Sequence, residues 1–233
     1  MKRRIPLLPL ALVGFLLAAC SADPLNVVVL AARAPGDKCD FADNTKYVEG
    51  GSVDFRPYII GTAPNQTVAS TGSYGQIFAW ENNLQPVPLT VNGDVVDPGH
   101  GNDFVADSVV FEYQYTDPAV TLASELDNIH ATIAAGALPD TNTVGASLIQ
   151  PGASNAIGAS TLIDTVPQTL LVTFQIFGKL VAGQPKYTNK VSFPVTVYRS
   201  STVPLDCSTG GLVVNGGPCG IPGRDQVVSC TKP

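Results

Sequence analysis

Three stretches of this 233-residue chain alternate apolar and polar side chains with a period of two, a pattern that restricts the fold more than any other feature. From Ser108 to Tyr115, Val109, Phe111, Tyr113 and Tyr115 share one face, opposite Ser108, Glu112 and Gln114. From Gln168 to Lys179, Leu170, Val172, Phe174 and Ile176 oppose Thr169, Thr173 and Gln175, and Val191, Phe193, Val195 and Val197 then oppose Ser192 and Thr196. Such alternation is the mark of a strand with one face buried and one wet. Gly183-Gln184-Pro185 is a turn signal, so the last two runs are predicted to form a long antiparallel hairpin. Pro194 has no amide hydrogen to donate, which places a sheet edge at that point.

Weaker strands are expected at Asn26 to Ala31, Ser52 to Ile60, Gln76 to Trp80, Val87 to Val91 and Ser160 to Val166, each bounded by Gly, Pro or Asn. Many short strands at this spacing imply a mainly β chain folded as an antiparallel β-sandwich, of which an immunoglobulin-like arrangement is one version. One segment breaks the pattern. Leu122, Leu126, Ile129 and Ile133 recur at steps of four, three and four, with Asp117 as a cap, Pro118 at the first position and Gly136 as a stop, so a short helix is predicted there. Residues 137–167 contain three Gly-Ala-Ser triplets at unequal spacing and read as loop.

The N-terminus places Lys2, Arg3 and Arg4 before an apolar run from Ile5 to Leu17, which is too short to span a bilayer comfortably and has the form of an export leader. The string Leu17-Ala18-Ala19-Cys20 resembles the lipobox of bacterial lipoproteins. That resemblance implies cleavage before Cys20, a diacylglycerol thioether and an acyl amide on Cys20, and a membrane contact made by lipid rather than protein surface. Ser21, where an inner-membrane lipoprotein would carry Asp, implies the outer membrane by the sorting pattern of Gram-negative lipoproteins. Loss of residues 1–19 leaves ten Lys and Arg against nineteen acids, a net charge of −9, which argues against a duplex nucleic-acid partner.

An exported chain carries its thiols into an oxidising compartment, and beyond Cys20 there remain Cys39, Cys207, Cys219 and Cys230. An even number reads as two disulfides, with three connectivities open, each of which joins Cys39 to the C-terminal region. The competing zinc reading lacks a CxxC pair and a nearby His. Residues 20–36 then form the lipidated lead-in, 37–200 the sandwich, and 201–233 a Gly- and Pro-rich tail stapled onto it. The tail and Cys39, together with the paired strands, are similar to a loose group of uncharacterised bacterial envelope lipoproteins, a resemblance that implies a neighbourhood and no activity.

No GxSxG, HExxH, GxxxxGK[ST] or dinucleotide fingerprint occurs, and with only His100 and His130 a general base is scarce, so the expectation is a protein that is not an enzyme. The densest polar cluster runs from Asn92 to Asp103 and on to Asp107. Asp94, Asp97, Asp103 and Asp107 are candidate calcium ligands, because calcium takes six to eight oxygens and Gly lets a loop wrap it. Their spacing is not that of an EF-hand, and an ordinary turn-rich surface loop is the plainer reading. Tyr74 and Trp80, beside Gly72 and Gly75, are candidate sugar- or peptide-stacking residues, against the plainer reading of Trp80 as core. The function expected is a lipid-anchored interaction module with an envelope protein as partner, the alternative being a module that binds sugar or calcium. Substituting Cys20→Ser is expected to move the protein from the membrane fraction to the soluble fraction on cell fractionation.

Overall fold

The computed structural model describes residues 25–34, 47–61, 63–70, 73–139, 142–208, 212–215 and 228–231. The leader, Cys20, Cys39 and Cys219 lie outside them. Along the chain run β1 (Val27–Arg33), β2 (Tyr47–Val48), β3 (Gly51–Asp54), β4 (Pro57–Ile60), β5 (Thr67–Ser70), β6 (Gly75–Asn82), β7 (Leu89–Val91) and β8 (Asp94–Asp97). There follow β9 (Phe104–Tyr115), β10 (Glu125–Ile133), β11 (Thr143–Ser147), the helix α1 (Pro151–Gly158) and a 3-10 turn at Leu162–Asp164. The chain then forms β12 (Gln168–Leu180), β13 (Pro185–Tyr187), β14 (Val191–Tyr198), β15 (Leu205–Asp206), β16 (Leu212–Asn215) and β17 (Val228–Thr231).

The three alternating runs become β9, β12 and β14, which lie side by side in a sheet ordered β10-β9-β12-β14-β3, with β13 added to β12. A second sheet, ordered β11-β6-β1-β2, covers its apolar face. Phe111, Leu170, Val172, Phe174, Phe193 and Val195 of the first sheet are buried against Val27, Val29, Phe78 and Trp80 of the second. Phe78 sits at the centre, its ring 4.8 Å from Phe174 and 5.8 Å edge-on from Phe193, while Trp80 meets Phe104 edge-on at 6.3 Å. Such tilted pairs contribute about 0.5–1.5 kcal/mol each beyond the area they bury. The fold is therefore a mainly β sandwich. Most ladders are antiparallel, but β3 joins β14 in parallel and β15 joins β4 in parallel. The β3 ladder begins at Val195, one residue past Pro194, so the proline lies where that side of β14 is unpaired. Because β1 is a core strand, the body extends N-terminally of residue 37.

The predicted helix at 122–133 is instead the strand β10. Asp117 does cap a turn, accepting the Ala119 amide at 2.9 Å, but the chain then extends and pairs with β9 from Glu125↔Phe111 to Ile133↔Phe104. The same residues also carry a period of two: Ile129, Ala131 and Ile133 pack inward while Asn128, His130 and Thr132 face water. Pairing with a long strand satisfies the backbone and buries this set, at the cost of leaving Leu126 67% exposed. The helix lies where loop was expected, at 151–158, and the predicted strand at 160–166 is a 3-10 turn. Pro151 suits the first turn, and Ala153 and Ile157, four apart, are buried. No side chain of its own segment caps the helix. Glu125 on β10 does so, accepting the amides of Gly152 at 3.0 Å and Ala153 at 2.7 Å. A carboxylate there satisfies orphan N–H groups and meets the positive end of the helix dipole.

Two irregularities shape the large sheet. Asp107 is an extra residue in β9: Phe177 pairs with Ser108 and Gly178 with Ala106, so Asp107 has no partner in β12, and β10 shifts register opposite it. β9 closes so tightly on Gly178 that a Cβ would stand 2.1 Å from the Val105 carbonyl oxygen. The second is the bulge Thr188-Asn189-Lys190 between β13 and β14. Here the Asn189 side-chain oxygen accepts the Val29 amide and its nitrogen donates to the Val29 carbonyl, both at 2.8 Å, which ties the bulge to β1 of the facing sheet.

Gly178→Ala is expected to cost about 2 kcal/mol in urea unfolding through overpacking, whereas Gly145→Ala, which meets nothing within 4 Å, stays within about 0.5 kcal/mol of the parent. Asn189→Leu, which strands both Val29 groups, is expected to cost about 2–4 kcal/mol by the same measurement.

Candidate functional site

Alternation turns Ser108, Val110 and Glu112 of β9 and Thr173, Gln175 and Phe177 of β12 away from the core, onto the solvent face of the large sheet. Most of that face is small and polar. At one end Phe177 lies opposite Tyr187 of β13, their rings 6.2 Å apart, with Phe177 36% and Tyr187 55% exposed. Beside this pair opens a pit of about 70 Å³ lined by Val110, Glu112, Thr173, Gln175, Phe177 and Lys190. The 188–190 bulge builds its rim: Lys190 Nζ binds both Glu112 oxygens at 2.8 and 3.0 Å, and Gln175 donates to the Thr188 carbonyl at 2.6 Å. Both arms of the ion pair are about half exposed, so it contributes little to stability and more to the shape of the rim.

This face was partly legible in the sequence. Thr169, Thr173 and Gln175 mark it as the wet side of β12, and an aromatic two residues further on that same side is the signal that picks out Phe177. Tyr187 gave no such signal, because its partner is set by the register across the Gly183 turn.

The residues singled out earlier lie elsewhere. Tyr74 and Trp80 are fully enclosed, Trp80 at 2% exposure, so neither ring offers a stacking surface and their candidacy as ligand-binding residues is corrected to a place in the core. Asn92 and Gly93, both at positive φ, form the tight turn of the β7–β8 hairpin, with Asp94 exposed beside it. Asp97 accepts the Gly99 and His100 amides at 3.1 and 3.2 Å, and Asp103 accepts the Ala135 amide at 2.8 Å and bonds His100 Nδ1 at 2.7 Å. Asp107 sits apart, exposed at the β9 bulge. The four aspartates are not gathered into one ligand set: among the described residues no group of three or more His, Cys, Asp or Glu is placed to hold a metal ion. Cys207 is buried, and its amide donates to Ile59 at 3.1 Å; Cys230 lies on β17 in register with Val213.

A second concavity, of about 360 Å³, lies between the 117–121 turn and the end of α1. Its polar centre is Asp117, which accepts the Ser160 hydroxyl at 2.6 Å and the Ala119 amide; these bonds hold its carboxyl below the usual range. Ser160 in turn accepts the Leu162 amide at 3.2 Å, so the pair braces two turns. More generally, residues 57–178 hold eleven acids and no Lys or Arg. Asp97, Asp103, Asp117 and Glu125 accordingly accept backbone amides, and Asp97 and Asp103 also face His100, where a Lys or Arg would otherwise stand.

No protein-family model, curated protein or solved structure matches the chain.

Asp103 by its hydrogen bond, and then Asp97 by its charge, raise the His100 pKa above the ordinary 6.5. The protonated ring is therefore favoured in the folded state, and its stabilisation is complete below pH 6.5 and lost as pH rises through the folded-state value. An NMR titration is expected to place the His100 midpoint above 6.5, and Asp103→Asn to move it back down.

Proposed function

We propose that this chain is a lipid-anchored, non-enzymatic binding module of the bacterial envelope, tethered through Cys20 to the outer membrane and bearing its recognition surface on the solvent face of the large sheet. The observation that carries the binding role is the exposed Phe177–Tyr187 pair beside a polar-rimmed pit. Aromatic rings held rigidly by strands bind at small entropic cost, and a partly apolar face with a few fixed polar groups is the usual makeup of a recognition site. The tether is supported by the lipobox string, and the absence of catalytic role by the sequence's lack of nucleophile and base motifs. Two disulfides among Cys39, Cys207, Cys219 and Cys230 belong to the same reading; the burial of Cys207 beside β4 supports them.

The test separates tether from surface. The Cys20→Ser protein, which fractionates as soluble at cellular dilution once freed of lipid, is expected to bind reversibly and co-sediment with isolated envelopes when supplied at high concentration, and the added pair Phe177→Ser and Tyr187→Ser to abolish this while thermal unfolding stays within a few degrees. Unchanged co-sedimentation of the triple variant would refute the surface assigned here.

A further inference from the structure

The pit has an apolar floor, and its rim keeps both an acceptor and a donor to spare. Val110 and Phe177 supply hydrocarbon. Gln175 commits its amide nitrogen to the Thr188 carbonyl, which leaves its oxygen facing outward without a partner among the described residues. Lys190 has three ammonium protons, of which two go to Glu112, leaving one. A methyl group, an N–H and a C=O complement such a lining, and an acetamido group carries all three. A pit of about 70 Å³, at about 10–15 Å³ per water, holds on the order of five waters, which suits the four heavy atoms of an acetamido group and is too small for a whole sugar ring. The ring has its own place. Phe177 forms one wall of the pit and stands 6.2 Å from Tyr187, the more exposed of the two, so a pyranose attached to the acetamido group lies over the aromatic pair.

We propose that this face binds an N-acetylated hexosamine within a glycan chain, the acetyl methyl seated on Val110, the amide N–H donating to Gln175 Oε1, the carbonyl accepting from Lys190 Nζ, and the sugar ring stacked on Tyr187 and Phe177. This names the ligand of the surface described above and rests on that reading. The paired rows Ser108–Phe177–Tyr187 and Val110–Gln175 give an extended oligosaccharide a bed with hydroxyl and amide groups on it. Nothing in the site requires the ligand to be charged, since the one ammonium is already balanced by Glu112.

The test is a calorimetric titration of the full chain in detergent micelles with three probes: the hexamer of N-acetylglucosamine, the hexamer of glucose, and an acetyl-lysine peptide. The acetylated hexamer is expected to bind at least fivefold more tightly than the glucose hexamer, the peptide, which offers the acetamido group without a ring to stack, at least tenfold more weakly than the acetylated hexamer, and Tyr187→Ala to weaken binding about tenfold. Val110→Phe, which fills the pit, is expected to erase the preference for the acetylated sugar while leaving weak stacking. Because a variant can fail to fold, amide shifts of the unaltered protein on adding the acetylated hexamer supply a second readout, expected at Val110, Thr173, Gln175 and Tyr187. Equal affinity for both hexamers, peptide binding as tight as that of the acetylated hexamer, shifts confined to other surfaces, or no binding at all overturns the assignment. If the hexamers fail while the Cys20→Ser protein still sediments with envelopes, the ligand class alone is wrong; if sedimentation fails too, the binding surface falls with it.

Discussion

The carboxamide of Asn189 engages Val29 through both its oxygen and its nitrogen, and this contact decides more about the molecule than its size implies. It stands in for a missing strand along β1, so that two buried main-chain groups are satisfied at the seam between the sheets. To reach them, the chain after β13 must step out of register, and the step is the Thr188-Asn189-Lys190 bulge. Thr188, fully buried, locks the bulge by accepting the Ile176 amide on its hydroxyl. Lys190 is thereby thrown to the opposite side, onto Glu112. One irregularity thus joins the sheets on its inner side and shapes a polar rim on its outer side.

Where structure was legible from sequence, the determinant was local and strong. β9, β12 and β14 carry unbroken alternation, and Gly183, at positive φ, turns the chain where the Gly-Gln-Pro string placed it. Where the reading went astray, distant partners decided. The segment 122–133 supports both a helical stripe and a period of two, and only the presence of β9 alongside selects the second. The helix at 151–158 has no cap in its own sequence because its cap is Glu125, more than twenty residues upstream. The Gly-Ala-Ser triplets make the point within one chain: the copy at 145–147 is strand, that at 152–154 is helix, and that at 158–160 ends the helix.

The site follows the same division. The polar run from Asn92 to Asp103 drew notice for its carboxylates, and these are occupied in holding turns: Asp97 over Gly99, Asp103 over Ala135. In a stretch without Lys or Arg, acids serve as acceptors for main-chain amides, a task at which a carboxylate outperforms a neutral hydroxyl. Aromatic clustering drew notice to Tyr74 and Trp80, but clustering says nothing of which way a ring points. For Phe177 the direction was implicit in the alternation itself.

The doubled bulge at Asp107 has an effect beyond its own ladder. β10 closes one side of the large sheet, and a straight nine-residue border there would be a template onto which another chain could add. Instead its register breaks between Asn128 and Ala131, and Glu125 and Asp127 are tied back to the segment around α1. The border is crooked and acidic where it would otherwise be adhesive. A border broken and tied back in this way offers a further strand fewer consecutive free backbone groups than a straight edge of the same length would.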